Sequence, residues 1–407
     1  MLRILYVTAL WDGLADVLYR GVEPCGMPAF IRPLRALVER GDQVDLFVGT
    51  PVRSSRHSGA GWFESIRVYE RRWVPGHSAG TLMSLLSFEQ SLLRHLGRTR
   101  YDFVYGHGPL GTAGVIAARR FSIPCGQRLY GTFMSRDIAA PRPSAWRRWR
   151  AFLRHPLEYM AYSLPKSFLL ITNDGSRGNL VFQAIGHQRT DLHFWLNGAE
   201  REPQDARPVE LPFPHGTPYL LYPARIEPWK QQHLAIELLR TLKSELGITL
   251  RLVFAGHEDD AAYARQLLAA ADRGGVADLV ASLGPVPLSS MPALYAGSLA
   301  VLSFYSVCNL GNVAIEALSS GCALLSLDDG SLDGIVSHGS SGFLVSEMRQ
   351  AVAIVAQLLA DPGLRERIGQ GARQSSREHF LPWEERVARE IALIDGAVAA
   401  AHGRAHA

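Results

Sequence analysis

Short apolar runs alternate with amphipathic helical segments along the first half of the chain. An apolar run at residues 2–7 leads through a loop to residues 27–40, whose apolar side chains recur on one helix face, and a second apolar run follows at residues 43–48. Strands that alternate with helices in this way predict a parallel, doubly wound sheet. The same alternation returns at residues 101–105 and 112–120, and at residues 167–172 with a helix after Ser176.

A proline-rich stretch at residues 201–218 divides the chain, because a segment of this composition packs poorly into a core and is typical of a linker between domains. Beyond it the alternation resumes, so the sequence predicts a second Rossmann-like sheet. Ligands bind beyond the carboxyl ends of parallel strands, and two facing sheets therefore predict an interdomain cleft that suits a two-substrate reaction. The later strands are predicted at residues 219–222, 250–255, 279–283, 300–304 and 323–326. The predicted divisions are a first domain at residues 1–205, a linker at 206–218, a second domain at 219–381, and a C-terminal helix at 382–407.

Composition narrows the function classes. The 407 residues are 47% hydrophobic and carry a net charge of +4, which is too small for a nucleic-acid binder but compatible with small anionic ligands. Four scattered cysteines form no C-x-x-C pair, which argues against zinc or disulfides and favours a reducing cytoplasmic setting. No apolar run reaches 18 residues, so no membrane-spanning helix is expected.

A G-x-G-x-x-G match at residues 106–111 suggests a dinucleotide site at first sight. No Asp or Glu lies between Gly111 and Asp137, however, so the acid that would bind the ribose is missing and a dehydrogenase is not favoured. His107 stands in this loop at the carboxyl end of a predicted strand, where loops face ligands. We interpret it as functional, with a structural turn histidine as the alternative.

Two cations follow the first strand of the second half. Arg225 and Lys230 lie five residues apart in a loop before a helix, where fixed positive charge can stabilise a departing diphosphate. Ordinary solvated cations are the alternative interpretation. Both residues are predicted to face the ligand.

A second loop precedes a helix that begins near Asn312. Gly311 allows backbone amides to approach a ligand closely, and the amino end of a helix favours phosphate. Glu316 can accept hydrogen bonds from vicinal hydroxyls such as those of a ribose, although helix-dipole stabilisation would also explain an acid there.

These motifs together resemble the retaining glycosyltransferases of family four, which have the twin-Rossmann GT-B fold, and the resemblance covers nearly the whole chain. It rests on the glycine loop with Gly26, on His107, on the Asn197-Gly198 turn, on Arg225 with Lys230, and on the helix at residues 316–321.

The resemblance implies a role for each matching residue. Gly26 would contact the donor's phosphates and sugar, His107 would lie beside the transferred sugar, and Arg225 with Lys230 would hold the diphosphate. Glu316 would bind the ribose, and the helix at residues 382–407 would pack back towards the first domain. The amides near Leu310, Gly311 and Asn312 would meet the sugar and phosphates, and Pro285 with Val286 would border the base.

The resemblance also implies the reaction: transfer of a sugar from a nucleoside-diphosphate sugar to a hydroxyl of a glycan, glycolipid or small metabolite, with retained configuration and release of the nucleoside diphosphate. UDP is expected ahead of GDP or ADP. No cofactor and no metal are expected, in keeping with the absence of Asp-x-Asp from the sequence.

One position departs from the family pattern. The family carries two glutamates with seven residues between them, and counting back from Glu316 places Cys308 at the first. A thiol cannot accept two hydroxyl hydrogen bonds as a carboxylate can. Altered donor choice, with Asn309 as a substitute contact, is the favoured explanation, and a catalytically silent sugar-nucleotide binder or scaffold of the same fold is the alternative.

Two further features bear on the acceptor. Asp174, at a strand end of the first half, is an acceptor-side candidate, although a turn-forming Asp-Gly explains it as well. Arginines interleave with aromatic residues from Arg142 to Arg154, which suits peripheral contact with the inner face of the cell membrane. A solvated helix face, or aromatic packing into the first domain, is the alternative.

Overall fold

The computed structural model describes residues 1–21, 27–51, 61–76, 79–138, 143–201 and 207–405. Two predicted features lie outside these ranges: the donor contact at Gly26, and Arg142 at the start of the basic segment. The chain forms two compact units, Met1–Leu196 with Glu384–Ala407 and Asn197–Trp383, which are called unit 1 and unit 2.

Unit 1 contains a seven-stranded parallel sheet in the order β3-β2-β1-β4-β5-β6-β7. Its central strands are buried on both faces and mostly apolar, as a sheet covered by helices requires. The strands are β1 Arg3–Ala9, β2 Gln43–Thr50, β3 Arg67–Arg72, β4 Phe103–His107, β5 Cys125–Leu129, β6 Phe168–Thr172 and β7 Asp191–Trp195.

Unit 2 contains a six-stranded parallel sheet in the order β10-β9-β8-β11-β12-β13. The strands are β8 Tyr219–Pro223, β9 Arg251–Ala255, β10 Val280–Ser282, β11 Ala300–Ser303, β12 Leu324–Leu327 and β13 Phe343–Val345. The two units are therefore two Rossmann-like α/β domains, as the sequence predicts.

Helices connect the strands of both sheets. They are α1 Asp12–Ala15, α2 Pro28–Glu39, α3 Ala79–Leu96, α4 Gly111–Arg120, α5 Ser135–Ile138, α6 Ala145–Arg154, α7 Pro156–Ser163, α8 Gly178–Ile185, α9 Gln232–Leu246, α10 Ala261–Arg273, α11 Met291–Gly297, α12 Asn312–Ser320, α13 Met348–Ala360, α14 Pro362–His379 and α15 Trp383–Ala405.

The first division of the chain lies after Leu196 rather than near residue 205. The backbone explains its position, because Ala199 forms a parallel bridge with Pro382 and its N–H donates to the carbonyl of Leu381 at 2.9 Å. Residues 197–201 thus belong to unit 2 before the proline-rich stretch begins.

The C-terminal helix α15 belongs to the fold of unit 1. Ile394 and Val398 join the core formed by strands β1, β2, β4 and β6. The hydroxyl of Tyr105 donates to Glu390 at 2.8 Å, and Arg40 contacts Asp395 through both terminal nitrogens at 2.7 and 3.0 Å.

Candidate active site

Both motif loops of unit 2 lie where the sheet order reverses. The chain runs from β8 outward to β9 and β10, then returns to place β11 on the other side of β8. The loops after β8 and β11 therefore diverge and leave a crevice at their carboxyl ends, which is where ligands bind in sheets of this kind. The first loop carries Arg225 and Lys230, and the second leads to Gly311 and α12.

Lys230 is held in place by two aromatic rings. Its Nζ lies 3.8 Å from the ring centroid of Trp229 and 3.5 Å from that of Tyr305, which are cation–π distances. Its carbonyl accepts a hydrogen bond from the hydroxyl of Tyr222 on β8. The amide of Ser306 donates to the carbonyl of Trp229 at 3.0 Å, so the two loops are tied together around the lysine.

Arg225 is more exposed and forms ion pairs with two carboxylates. The guanidinium lies 2.8 Å from Glu227 and 2.6 Å from Asp259, and 49% of its side chain is accessible. The buried side chain of Gln232 donates to the carbonyl of Arg225 at 2.6 Å and fixes the backbone there. Because two acids neutralise the arginine, a diphosphate would have to compete with them.

Asn309 braces the loop after β11. Its side chain is fully buried; Oδ1 accepts from the hydroxyl of Ser303 at 2.9 Å and from the amide of Tyr305 at 3.2 Å, and Nδ2 donates to the Tyr305 carbonyl. Both lone pairs of the amide oxygen are thus used within the protein. The geometry gives this side chain a structural task and leaves it no acceptor for a sugar hydroxyl.

Cys308 adopts a left-handed backbone conformation with φ of +63°, which is uncommon for a residue with a side chain. The next amides are also engaged: the N–H of Asn309 donates to Asp329 at 3.1 Å, and that of Leu310 donates to the hydroxyl of Ser331 at 3.1 Å. The Leu310 amide, which is predicted to meet the sugar and phosphates of the donor, is thus engaged by a side chain of the protein.

The amino end of α12 has no side-chain cap among the described residues, and its first N–H groups lie at the crevice. The side chain of Asn312 accepts from Asn197 at 2.7 Å, which orients the start of the helix. In the second turn, Glu316 accepts a hydrogen bond from the hydroxyl of Tyr295 at 2.7 Å. Burial, followed by the charge of Glu316, raises the pKa of Tyr295 well above its ordinary value, so this hydroxyl stays a donor to the carboxylate.

Pro285 and Val286 lie in the turn that follows β10. Gly284 has a φ of +66°, which glycine adopts without strain, and its carbonyl accepts from the amide of Gly256 at 2.8 Å. The turn thus stands at the carboxyl edge of the same sheet as Arg225.

In unit 1, His107 is the last residue of β4, at the point where β1 and β4 diverge. The ring is 1% exposed and stacks on Tyr6 with centroids 4.5 Å apart, while Nδ1 lies 2.8 Å from the hydroxyl of Tyr130. Nε2 has no hydrogen-bond partner among the described residues. Burial, and secondly the charge of Arg128, hold the pKa of His107 well below 6.5, so the imidazole is neutral near pH 7.

A buried ionic cluster next to His107 is absent from the sequence predictions. Arg128 on β5 and Arg386 on α15 both pair with Glu390, and all three side chains are at most 2% exposed. Arg386 also lies 4.5 Å from the ring centroid of Trp195. The only sequence signal is the presence of an arginine within an otherwise strand-like segment.

The glycines around His107 have a packing explanation. A Cβ on Gly106 would lie 2.4 Å from the carbonyl oxygen of Gly111, and a Cβ on Gly111 would lie 2.5 Å from the carbonyl carbon of Gly106. The strand and the following helix therefore approach so closely that neither position accepts a side chain. This close approach accounts for Gly106 and Gly111 without a bound dinucleotide.

Asp174 follows β6 at the same edge of the unit 1 sheet. Its Oδ1 accepts from the amide of Ser176 at 2.9 Å, as in an Asx-turn. A Cβ on Gly131 would lie 2.2 Å from Asp174 Oδ2, so the neighbouring backbone packs tightly against this carboxylate. The turn-forming interpretation thus has direct geometric support.

Comparisons with known proteins agree with the motifs. The sequence model of the family described as Glycosyl transferases group 1 matches residues 203–375, and that of the Glycosyl transferase 4-like domain matches residues 32–163. The chain belongs to glycosyltransferase family four. The protein is therefore a glycosyltransferase, and it has the GT-B fold.

Relatives of this glycosyltransferase align over most of its length. A D-inositol 3-phosphate glycosyltransferase from Xylanimonas cellulosilytica is 26% identical and covers 91% of this chain and 90% of its own. One of the same name from Nocardiopsis dassonvillei is also 26% identical, with 87% and 85% covered.

Solved structures share the fold of the glycosyltransferase. Sucrose-phosphate synthase from Thermosynechococcus elongatus has a TM-score of 0.77 at 17% identity, covering 98% of this chain and all of that one. HepE from Anabaena in complex with UDP-glucose has a TM-score of 0.68 at 18% identity, covering 96% and 100%.

Proposed function

We propose that the enzyme moves a sugar from a nucleoside-diphosphate sugar, with UDP the favoured nucleotide, to a hydroxyl acceptor, with retained configuration and no metal ion. The observation that carries the proposal is the grouping in unit 2 of Lys230, Arg225, the uncapped amino end of α12 and Glu316 at one edge of one sheet. The complexes of HepE with UDP and with UDP-glucose support the choice of nucleotide.

Each group supplies one part of the chemistry. Lys230 and the helix amides stabilise charge that develops on the departing diphosphate, and Arg225 joins them when the phosphates displace its carboxylate partners. Glu316 accepts from the ribose hydroxyls while Tyr295 keeps its carboxylate oriented. His107, neutral and with Nε2 unsatisfied among the described residues, donates to or accepts from a hydroxyl of the transferred sugar.

Release of nucleoside diphosphate tests the proposal directly. UDP-, GDP- and ADP-sugars are incubated with a panel of hydroxyl acceptors that includes D-inositol 3-phosphate, with and without EDTA. We expect Lys230→Met to lower kcat/KM about 100-fold, as the loss of one fixed charge in a transition-state site does. Lys243→Met is the matched control, because Lys243 is an exposed lysine of the same unit. Unchanged turnover in Lys230→Met would contradict the leaving-group assignment.

A catalytically silent binder of the same fold remains the second candidate, and Cys308 is the observation that favours it. The same panel separates the two functions, since a binder is stabilised against heat by UDP-sugars yet releases no UDP with any acceptor. If the missing carboxylate sets donor choice instead, Cys308→Glu will change which UDP-sugar gives the highest kcat/KM.

The helix α6 gives the proposed enzyme a surface for anionic lipid. Ala151 is its only buried residue, and the aromatic and aliphatic side chains on the opposite face are open to solvent: Trp146 is 64% exposed, Trp149 54% and Leu153 51%. The aromatic residues therefore do not pack into the core of unit 1, which was one of the alternatives. Within the described ranges, no helix is both long and apolar enough to cross a bilayer.

Arginines flank this apolar face. Arg150 bonds to Asp137, which fixes α6 to the end of α5, while Arg147 and Arg148 are exposed. Exposed tryptophan beside arginine suits the headgroup region of an anionic bilayer. We propose that α6 rests there, with the acceptor lipid-linked or lipid-adjacent.

Sedimentation with vesicles tests the membrane proposal. We expect binding to vesicles of phosphatidylcholine with 30% phosphatidylglycerol and little binding to phosphatidylcholine alone. Trp146→Ala with Trp149→Ala should abolish it. Leu82→Ala with Met83→Ala is the matched control, since these residues are equally exposed on α3. Equal binding by both double variants would refute the assignment of α6.

A further inference from the structure

A cavity lies in unit 1 at the amino ends of the strands, on the side of the sheet opposite to the strand ends that carry His107. It has a volume of about 780 Å³ and is lined by Cys125, Phe168 and Asp191, which are the first residues of β5, β6 and β7. His107 is the last residue of its strand. In a parallel sheet the cavity and His107 therefore lie at opposite ends of the strands. Nothing in the proposed glycosyl transfer uses this cavity.

Three cations line the cavity against a single carboxylate. Arg119, Lys166 and Arg189 face it together with Asp191, which leaves an excess of two positive charges. Within the described part of the chain, neither arginine forms an ion pair. His193 also lines the wall, and burial lowers its pKa, so it adds no charge near pH 7.

Lys166 has a structural task that leaves part of its ammonium available. The side chain is 6% exposed, and Nζ donates to the carbonyls of Ala161 and Leu164 at 2.6 Å each, where it closes the carboxyl end of α7. The ammonium has three N–H donors, so one remains. Burial, and after it the charge of Arg119, lowers the pKa of Lys166 to about 8. Capping of α7 accounts for the buried lysine, but it does not account for the two arginines or for the open volume of the cavity.

The helix α15 keeps the cavity open with small residues. Ala392, Gly396, Ala397 and Ala400 face it, and a Cβ placed on Gly396 would meet no atom within 4 Å. A larger side chain at Gly396 would thus enter the cavity without displacing the fold. A volume near 780 Å³ lies in the range of small-ligand sites.

We propose that this cavity binds a small phosphate monoester between Arg119, Lys166 and Arg189, at a site separate from the glycosyl-transfer site. A phosphate monoester carries close to two negative charges at neutral pH and matches the excess positive charge of the wall. Arginine forks bind phosphate oxygens bidentately, and the spare N–H of Lys166 supplies a charge-assisted hydrogen bond from the floor. Phe168 and the alanines of α15 contact the organic part.

The lysine content of the chain allows a direct test. Lys166, Lys230 and Lys243 are its only lysines, so full-length protein labelled with ¹³C at the lysine ε-carbon gives three signals, and Lys166→Met assigns the one of interest. Glycerol 3-phosphate is titrated at constant pH, with glycerol and acetate as comparisons. We expect a saturable shift of the Lys166 signal with glycerol 3-phosphate, and none with glycerol or acetate at the same concentration.

Variants of the cavity wall complete the experiment. Gly396→Leu should weaken binding at least tenfold by filling the space, and Arg189→Gln should weaken it several-fold. Gly403→Leu, on the same helix and also in open space, should bind like the parent chain. The proposal is overturned if only the Lys230 signal moves, if acetate matches the ester, or if Gly396→Leu binds normally. The readout requires no glycosyl transfer, so its failure is distinct from failure of the proposed function.

Discussion

His107 shows how much a single position depends on its surroundings. An imidazole that is exposed titrates near pH 6.5, whereas this ring is enclosed by Tyr6, Phe30 and Tyr105 and lies near the cation of Arg128. The sequence places a histidine at a strand end but cannot show that it is enclosed. Its neutral state is a consequence of packing.

Acid should therefore destabilise the protein through His107. The pKa is lower in the folded than in the unfolded state, so the unfolded state binds the proton first, and stability present above pH 6.5 is lost as pH falls through the folded-state pKa. We expect the difference in unfolding free energy between the parent and His107→Gln to decrease from pH 7 to pH 5, measured by urea denaturation. A difference that stays constant over this range would mean that the ring is not held neutral.

At the scale of the element, β5 differs most from what a hydrophobic pattern predicts. Its five residues are all buried, yet two of them are Gln127 and Arg128. Gln127 donates to Thr112 at 2.9 Å, and Arg128 pairs with Glu390, so both polar side chains have a partner on a neighbouring element. This central strand depends on α15 for its charge balance.

Substitution of one arginine of this cluster should cost less unfolding free energy than substitution of the glutamate that both arginines share. Arg128→Met leaves Arg386 paired with Glu390 and should cost about 1–2 kcal/mol of unfolding free energy, whereas Glu390→Met leaves two buried cations and should cost about 3–5 kcal/mol. Urea denaturation followed by tryptophan fluorescence measures both. A larger loss in Arg128→Met than in Glu390→Met would show that the arginines are not competing for one carboxylate.

Comparison with the other strands shows which elements can be predicted from the sequence. Apolar strands such as β1, β2 and β8 are predicted within two residues of their observed bounds, because hydrophobic periodicity reports burial directly. The strands β3, β5, β7 and β13 are missed. The first three carry charged or mixed residues, Arg71 and Arg128 among them, which are accommodated only by tertiary partners, and β13 is an apolar run of only three residues. At the candidate site, Arg225 and Lys230 can be predicted from a loop motif, but Asp259 and Tyr305, which orient them, come from distant segments.

At the scale of the molecule, unit 1 is discontinuous along the chain. Residues 384–407 complete it, although the whole of unit 2 lies between them and Leu196. The buried Glu390 and Ile394 show that this last segment is part of the core and more than a surface tail. The stability of unit 1 therefore depends on this last segment more than the stability of unit 2 does.

Ending the chain at residue 383 should destabilise unit 1 alone. Without α15, Arg128 loses its carboxylate and the apolar face under Ile394 is exposed, while the core of unit 2 is unchanged. We expect amide hydrogen exchange to accelerate at least tenfold in β4, β5 and β6 and to stay the same in β8 and β11. Equal acceleration in both sheets would indicate that the two units share their stability.

The late position of α15 has a consequence for synthesis on the ribosome. Domains usually fold in the order in which they emerge, the amino-terminal one first. Here the segment that supplies Glu390 leaves the exit tunnel after all of unit 2, so unit 2 can finish folding before α15 reaches the first sheet. Unit 1 is therefore completed only after unit 2 has been synthesised, and Arg128 stays without its counter-ion until α15 emerges.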